Sequence, residues 1–140
     1  MITADKLKSV QDCYGRCCAQ AGFWDKFYEI FLKSSPDIAA KFKNTDMKRQ
    51  KEILRGSLSF VLMYAKDPNA AFPKGKLTDV GKVHAKTKHN IAPNQYEFWT
   101  KSLMATIKHF EGNAFTAEHE KAWREVLAPA IKLMQDQYNT

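Results

Sequence analysis

Of the four histidines in this 140-residue chain, His84, His89, His109 and His119, one sits where its neighbours should turn it inward. His84 completes a stripe with Leu77, Val80 and Gly81 at i, i+3, i+4 and i+7, the spacing of a single helix face. Tyr28 shares the stripe of Trp24, Phe27 and Phe31, and Gln50 stands one turn before Leu54 on the same face. Burying a phenol, an amide or an imidazole costs free energy unless each polar atom finds a partner. An inward histidine taken alone is more often a hydrogen-bonded core residue. Three inward polar groups in one core ask for something polar among them, such as a bound ligand.

Other chemistries lack their patterns. No Cys-x-x-Cys, His-Glu-x-x-His or paired Cys/His zinc spacing occurs, nor a glycine-rich phosphate loop, nor a nucleophile elbow. Cys13, Cys17 and Cys18 fall within six residues and cannot all pair, so free thiols in a reducing, cytoplasmic setting are expected. Cys13 and Cys17 share a helix face and read as small buried hydrophobes.

The elements that must position these residues read as helices. Thr3 caps a first helix to about Gln20, and Gly22 separates it from the stripe Trp24, Phe27, Tyr28, Phe31, Leu32. Ser35-Pro36-Asp37 breaks that helix, with Pro36 opening a short one through Lys41. Thr45 or Asp46 caps a long helix with Leu54, Leu58, Val61, Leu62 and Ala65 inward. Asp67–Lys76, with two prolines and Gly75, reads as a loop before the helix of His84. Asn90–Pro93 is a corner, and Pro93 opens a helix with Tyr96, Trp99, Leu103, Ile107 and Phe110 inward. Thr116 starts the last helix, with Trp123, Val126, Leu127, Ala130, Ile131 and Met134 inward, and Pro129 predicts a kink or a locally lost hydrogen bond there. The expected architecture is all-α, with six or seven helices in one domain over 1–140.

Composition sets outer bounds. The chain is 44% hydrophobic and 26% charged, enough apolar residues for a real core. No apolar run approaches the roughly 18 residues of a membrane span, and the N-terminus lacks the apolar stretch of a signal peptide. The net charge of +7 comes from cations spread from Lys6 to Lys132, with a modest cluster at Lys41, Lys43, Lys48, Arg49 and Lys51. No arginine-rich run or recognition motif accompanies them, so neither a specific nucleic-acid partner nor a membrane partner is expected.

The order of these residues resembles a globin across essentially the whole chain, above all the bacterial single-domain globins and the haem domain of flavohaemoglobins. The matching runs are Phe27-Tyr28, Ser35-Pro36-Asp37, Phe42, Gln50 and Leu54, then Gly81-Lys82-Val83-His84, Pro93-Asn94-Gln95-Tyr96 and Ala122-Trp123. The resemblance implies a globin fold around a haem pocket that holds haem b (iron protoporphyrin IX). His84 would be its iron ligand, and Phe42, Leu54, Val80 and Tyr96 would lie beside it. Tyr28 and Gln50 would be the distal hydrogen-bond donors, and Gly81 would let the porphyrin approach closely. Two departures stand out. The interval from His84 to Pro93 is about two residues longer than the flavohaemoglobin pattern, which makes His89 a rival ligand. His89 would lie about 140° further around an ideal helix than His84, facing solvent or the haem edge. The family's last helix also carries a Glu that joins the Tyr and His in a proximal network; the matching position here is Tyr138, beside Asp136 and Gln137.

The same resemblance implies binding of dioxygen, nitric oxide and carbon monoxide. Hydrogen bonds from Tyr28 and Gln50 to a partly negative dioxygen would slow its release, which favours oxygen chemistry, scavenging or sensing over bulk oxygen transport. Conversion of nitric oxide to nitrate would then be the enzymatic outcome. Nothing in the chain resembles a flavin or nicotinamide domain, so a separate reductase is expected. A haem-based gas sensor module and a haem-free globin-like interaction protein are the alternatives.

Overall fold

Local signals set the helix ends. In the computed structural model, which describes residues 2–140, α1 spans Ala4–Cys18, and the Thr3 hydroxyl accepts from the Lys6 amide. Gly22, at φ +81°, makes the left-handed corner into α2, Phe23–Ser34. Pro36 then opens α3, Pro36–Lys41, at the position where a missing N–H costs nothing. Asp46, not Thr45, caps α4, Met47–Lys66, by accepting from the Arg49 amide. The remaining helices are α5, Ala71–Val83, α6, Gln95–Glu111, and α7, Ala117–Gln135, with a single 3-10 turn at Gly112–Ala114. Thr116 and His119 cap α7 reciprocally: each side chain accepts from the other's amide, so His119 fills the role usual for Glu.

The seven helices and the absence of strands among the described residues match the all-α expectation. α2 packs on α6, α4 on α5 and α7, and α1 and α5 on α7. The inward residues read from the long-helix stripe, Leu54, Leu58, Val61, Leu62 and Ala65, are all buried. Their core continues through Phe23, Phe27, Leu103, Ile107, Trp123, Val126 and Leu127. No described helix is long and apolar enough to cross a membrane.

Two local readings differ from the sequence. The loop after α4 is only four residues long, because α5 begins at Ala71 and takes Pro73 into its first turn, where amides have no intrahelical acceptor anyway. α6 buries a wider face than its apolar stripe, including Thr100, Ser102 and Thr106. Each of those hydroxyls donates to the carbonyl four residues back, which removes the cost of burying it.

Candidate functional site

One apolar cavity of about 740 Å³ lies between α2, α3, α4, α5, α6 and α7, within the roughly 300–1,000 Å³ usual for a small-molecule or cofactor site. All seven residues singled out from the sequence line it: Tyr28, Phe42, Gln50, Leu54, Val80, His84 and Tyr96. Phe42 holds the Tyr28 side by edge-on contact, with ring centroids 5.8 Å apart. Trp99, Ile131 and Met134 also line the cavity. Their stripes marked them as core, and periodicity cannot separate a residue facing a cavity from one facing another side chain. A second hollow beside α3, lined by Ser35, Asp37, Asn90 and Tyr138, is polar and holds no imidazole.

His84 caps the C-terminal end of α5, and its Nδ1 lies 3.1 Å from the Tyr96 hydroxyl. Burial, aided by the nearby His89, pulls the His84 pKa down to about 4, so the ring is neutral at physiological pH and fit to ligate a metal. If Nδ1–H donates to Tyr96, the lone pair of Nε2 is left for a ligand. Burial pushes Tyr96 up to about 12, which keeps its phenol protonated. Among the described residues no three His, Cys, Asp or Glu side chains gather as a metal cage. An ion in this cavity would therefore find too few protein ligands to complete its coordination, and its remaining donors would have to come with a cofactor.

Tyr28 faces the same cavity from α2, only 4% exposed. Burial raises its pKa to about 12, with the Gln50 side chain opposing part of the rise, so the phenol keeps its proton and can donate. Gln50, half-buried at the start of α4, supplies a second polar group on that wall. The cavity thus has an imidazole on the α5 side and two neutral donors on the α2–α4 side.

The corner between α5 and α6 is held by a tight backbone network. The amides of His89, Asn90 and Ile91 donate to the carbonyls of Val83, Ala85 and His84. Asn90 takes φ +53°, a conformation that Asn tolerates better than most residues. The C-terminus clamps this corner: the Tyr138 hydroxyl donates to Asn90 Oδ1 at 2.6 Å, the Lys86 backbone amide to the Tyr138 carbonyl, and Gln135 Nε2 to the Pro93 carbonyl. Since α5 ends at Val83, His89 lies beyond the helix rather than further around it. It is exposed at the cavity rim.

Two expectations about His84's surroundings are resolved by these contacts. Tyr138 is engaged with Asn90, and Asp136 pairs with Lys132, so among the described residues Tyr96 is the side-chain partner of His84. The pair is neutral, without a carboxylate. Gly81 does not face the cavity. A Cβ there would lie 2.8 Å from Gln137 Cγ and 3.0 Å from both Met134 Cα and the Met134 carbonyl oxygen. The glycine is needed for the close crossing of α5 and α7, not for room beside a ligand.

The globin family model matches residues 25–134. Among solved structures, a protein of Pseudomonas aeruginosa PAO1 described as structurally highly homologous to a human haemoglobin is 36% identical, with a TM-score of 0.88 over 96% of this chain and 99% of that one. The haemoglobin of the shortfin mako, Isurus oxyrinchus, is 19% identical, with a TM-score of 0.82 over 99% of both chains. No curated protein matches the sequence significantly.

Proposed function

The chain belongs to the globin family, and from that premise we propose that residues 1–140 form one globin domain that holds haem b in the cavity and binds dioxygen, nitric oxide and carbon monoxide. The observation that carries this reading is the pairing of a neutral imidazole with two opposed donors across one apolar space. Haem, when bound, supplies an iron centre that takes up diatomic gases and passes between ferrous and ferric states.

The chain's own residues divide the remaining work. His84 would hold the iron through Nε2 when its Nδ1–H donates to the Tyr96 hydroxyl. Phe42, Leu54, Val80 and Tyr96 line the cavity and would enclose the ring system. Tyr28 and Gln50 would donate to the partly negative end of a diatomic ligand, at roughly 1.5–3 kcal/mol for a bond to a charged partner, which would slow its escape. Such retention suits oxidation of nitric oxide to nitrate better than bulk oxygen delivery, with a separate reductase returning ferric iron to ferrous. Cys13, Cys17 and Cys18 are all unpaired, which suits a reducing, cytoplasmic setting.

Titrating the apoprotein with haemin and recording ferric, ferrous and CO spectra tests the reading. A sharp Soret band saturating at one haem per chain supports it. Absence of saturable binding by a folded chain would leave a haem-free interaction protein instead.

A further inference from the structure

The cations are spread along the chain, but the charge balance is not. Residues 36–92 hold 12 of the 22 Lys and Arg and only 5 of the 15 Asp and Glu, so the whole net +7 lies there. The rest of the chain balances ten against ten. Ion pairing sharpens the contrast. Outside that stretch seven of the ten cations pair with a carboxylate. Inside it, among the described residues, Lys51 alone of the twelve does so, with Asp25.

That stretch comprises α3, α4, α5 and most of the corner, the elements around the cavity mouth. Lys41, Lys76 and Lys88 line the cavity without a carboxylate partner, together with Ile53 and Val83, which are 48% and 50% exposed. Asp79 is the one acidic side chain among the lining residues.

We infer that this face docks an acidic one-electron carrier protein over the cavity mouth. The inference rests on the haem reading above and names the surface its reductant would use. An uncompensated cationic field around a cleft attracts acidic partners and speeds encounter. Ten of the twelve cations are lysines, hydrated point charges that suit brief contact with carboxylates rather than the forked phosphate recognition of arginine. Ile53 and Val83 add a small apolar centre inside the cationic rim, the anatomy of a protein interface rather than of a phosphate track.

The test is the affinity of the haem-loaded protein for an oxidised acidic flavodoxin, followed by NMR titration. The wild type should bind at about 20 mM salt and at least about tenfold more weakly at about 200 mM. Lys76→Glu/Lys88→Glu should weaken binding at least about tenfold at low salt. Lys101→Glu/Lys121→Glu, the same change of charge outside the stretch, should alter it by less than about twofold. No binding, no salt dependence, or equal loss in the two variants would overturn the proposal. Tighter binding to phosphatidylglycerol vesicles or to a DNA duplex than to flavodoxin at the same salt would overturn it too. If the first variant fails to load haem, the wild-type salt series still decides. Failure of the wild type to take up haem sinks the haem reading, whereas a haem-loaded protein that ignores flavodoxin sinks this inference alone.

Discussion

Gly81→Ala puts the crossing of α5 and α7 under direct test. The added methyl would meet Met134 Cα and its carbonyl oxygen at 3.0 Å and Gln137 Cγ at 2.8 Å, whereas comfortable carbon contacts lie near 3.5–4.0 Å. Gln137 can swing away, but Met134 presents main-chain atoms in the last turn of α7, which cannot rotate aside as a side chain can. The helices must then part by roughly half an ångström or more, and overpacking of this kind costs about 1–3 kcal/mol. Against it stands the better helix propensity of alanine, close to 1 kcal/mol. Gly75→Ala, in the same helix, isolates that gain, because a Cβ there meets nothing within 4 Å. The two variants should therefore differ by about 1–3 kcal/mol, or roughly 3–12 °C in Tm for a chain of this length. Thermal melts of the apoproteins by circular dichroism read this directly, with Gly81→Ala below the wild type and Gly75→Ala at or above it. If Gly81 instead made room for a cofactor, the apoprotein melt of Gly81→Ala would match or exceed the wild type, and the reasoning would fail.

Other outcomes follow from the same contacts. Tyr28→Phe should speed dioxygen release by about tenfold or more and carbon monoxide release much less, because the less polar ligand gains little from a donor; equal effects in stopped-flow measurements would show that the phenol only supports the fold. The Arg16 guanidinium, 2.7 Å from Glu111, holds that carboxyl below its ordinary 4.5. A depressed folded pKa means stability that is present above pH 4.5 and lost as pH falls through the folded value, since the unfolded chain takes the proton first. Glu111→Gln should thus cost up to about 1 kcal/mol in urea melts at pH 7 and nothing once the wild-type carboxyl is protonated, so a pH-independent deficit would contradict the ion pair. Tyr138→Phe removes the bond to Asn90 and should cost about 0.5–1.5 kcal/mol, seen as faster hydrogen exchange at the His89, Asn90 and Ile91 amides while the α6 interior is unchanged.

Periodicity exposed much of this site because each polar residue in question interrupts an otherwise apolar stripe. Tyr28, Gln50 and His84 stand out on their stripes, and spacing turns each inward, while the structure brings all three to one cavity. Pro36 and Gly22 were equally legible, since each serves a backbone need that few other residues meet. What sequence could not show depends on neighbours far along the chain. Gly81 looks like any small residue beside a ligand until Met134 is known to cross it. Tyr138 occupies the place of a network residue, yet Asn90 is near enough to take its hydroxyl. Pro73 and Gly75 signal a loop locally, but one tolerable proline position and an open flank let α5 begin four residues after α4 ends. The cations at the cavity rim, Lys41, Lys76 and Lys88, lie on three different segments, so no run in the sequence announced them.

The central claim is that His84 holds the iron of a haem in this cavity, with His89 at the rim. Resonance Raman spectra of the ferrous protein measure that bond through the iron–histidine stretch. The stretch should be present in the wild type and in His89→Ala, and absent in His84→Ala with Tyr96 left intact. Its persistence in His84→Ala and loss in His89→Ala would move the ligand to the corner and contradict the assignment of the α5 side of the site.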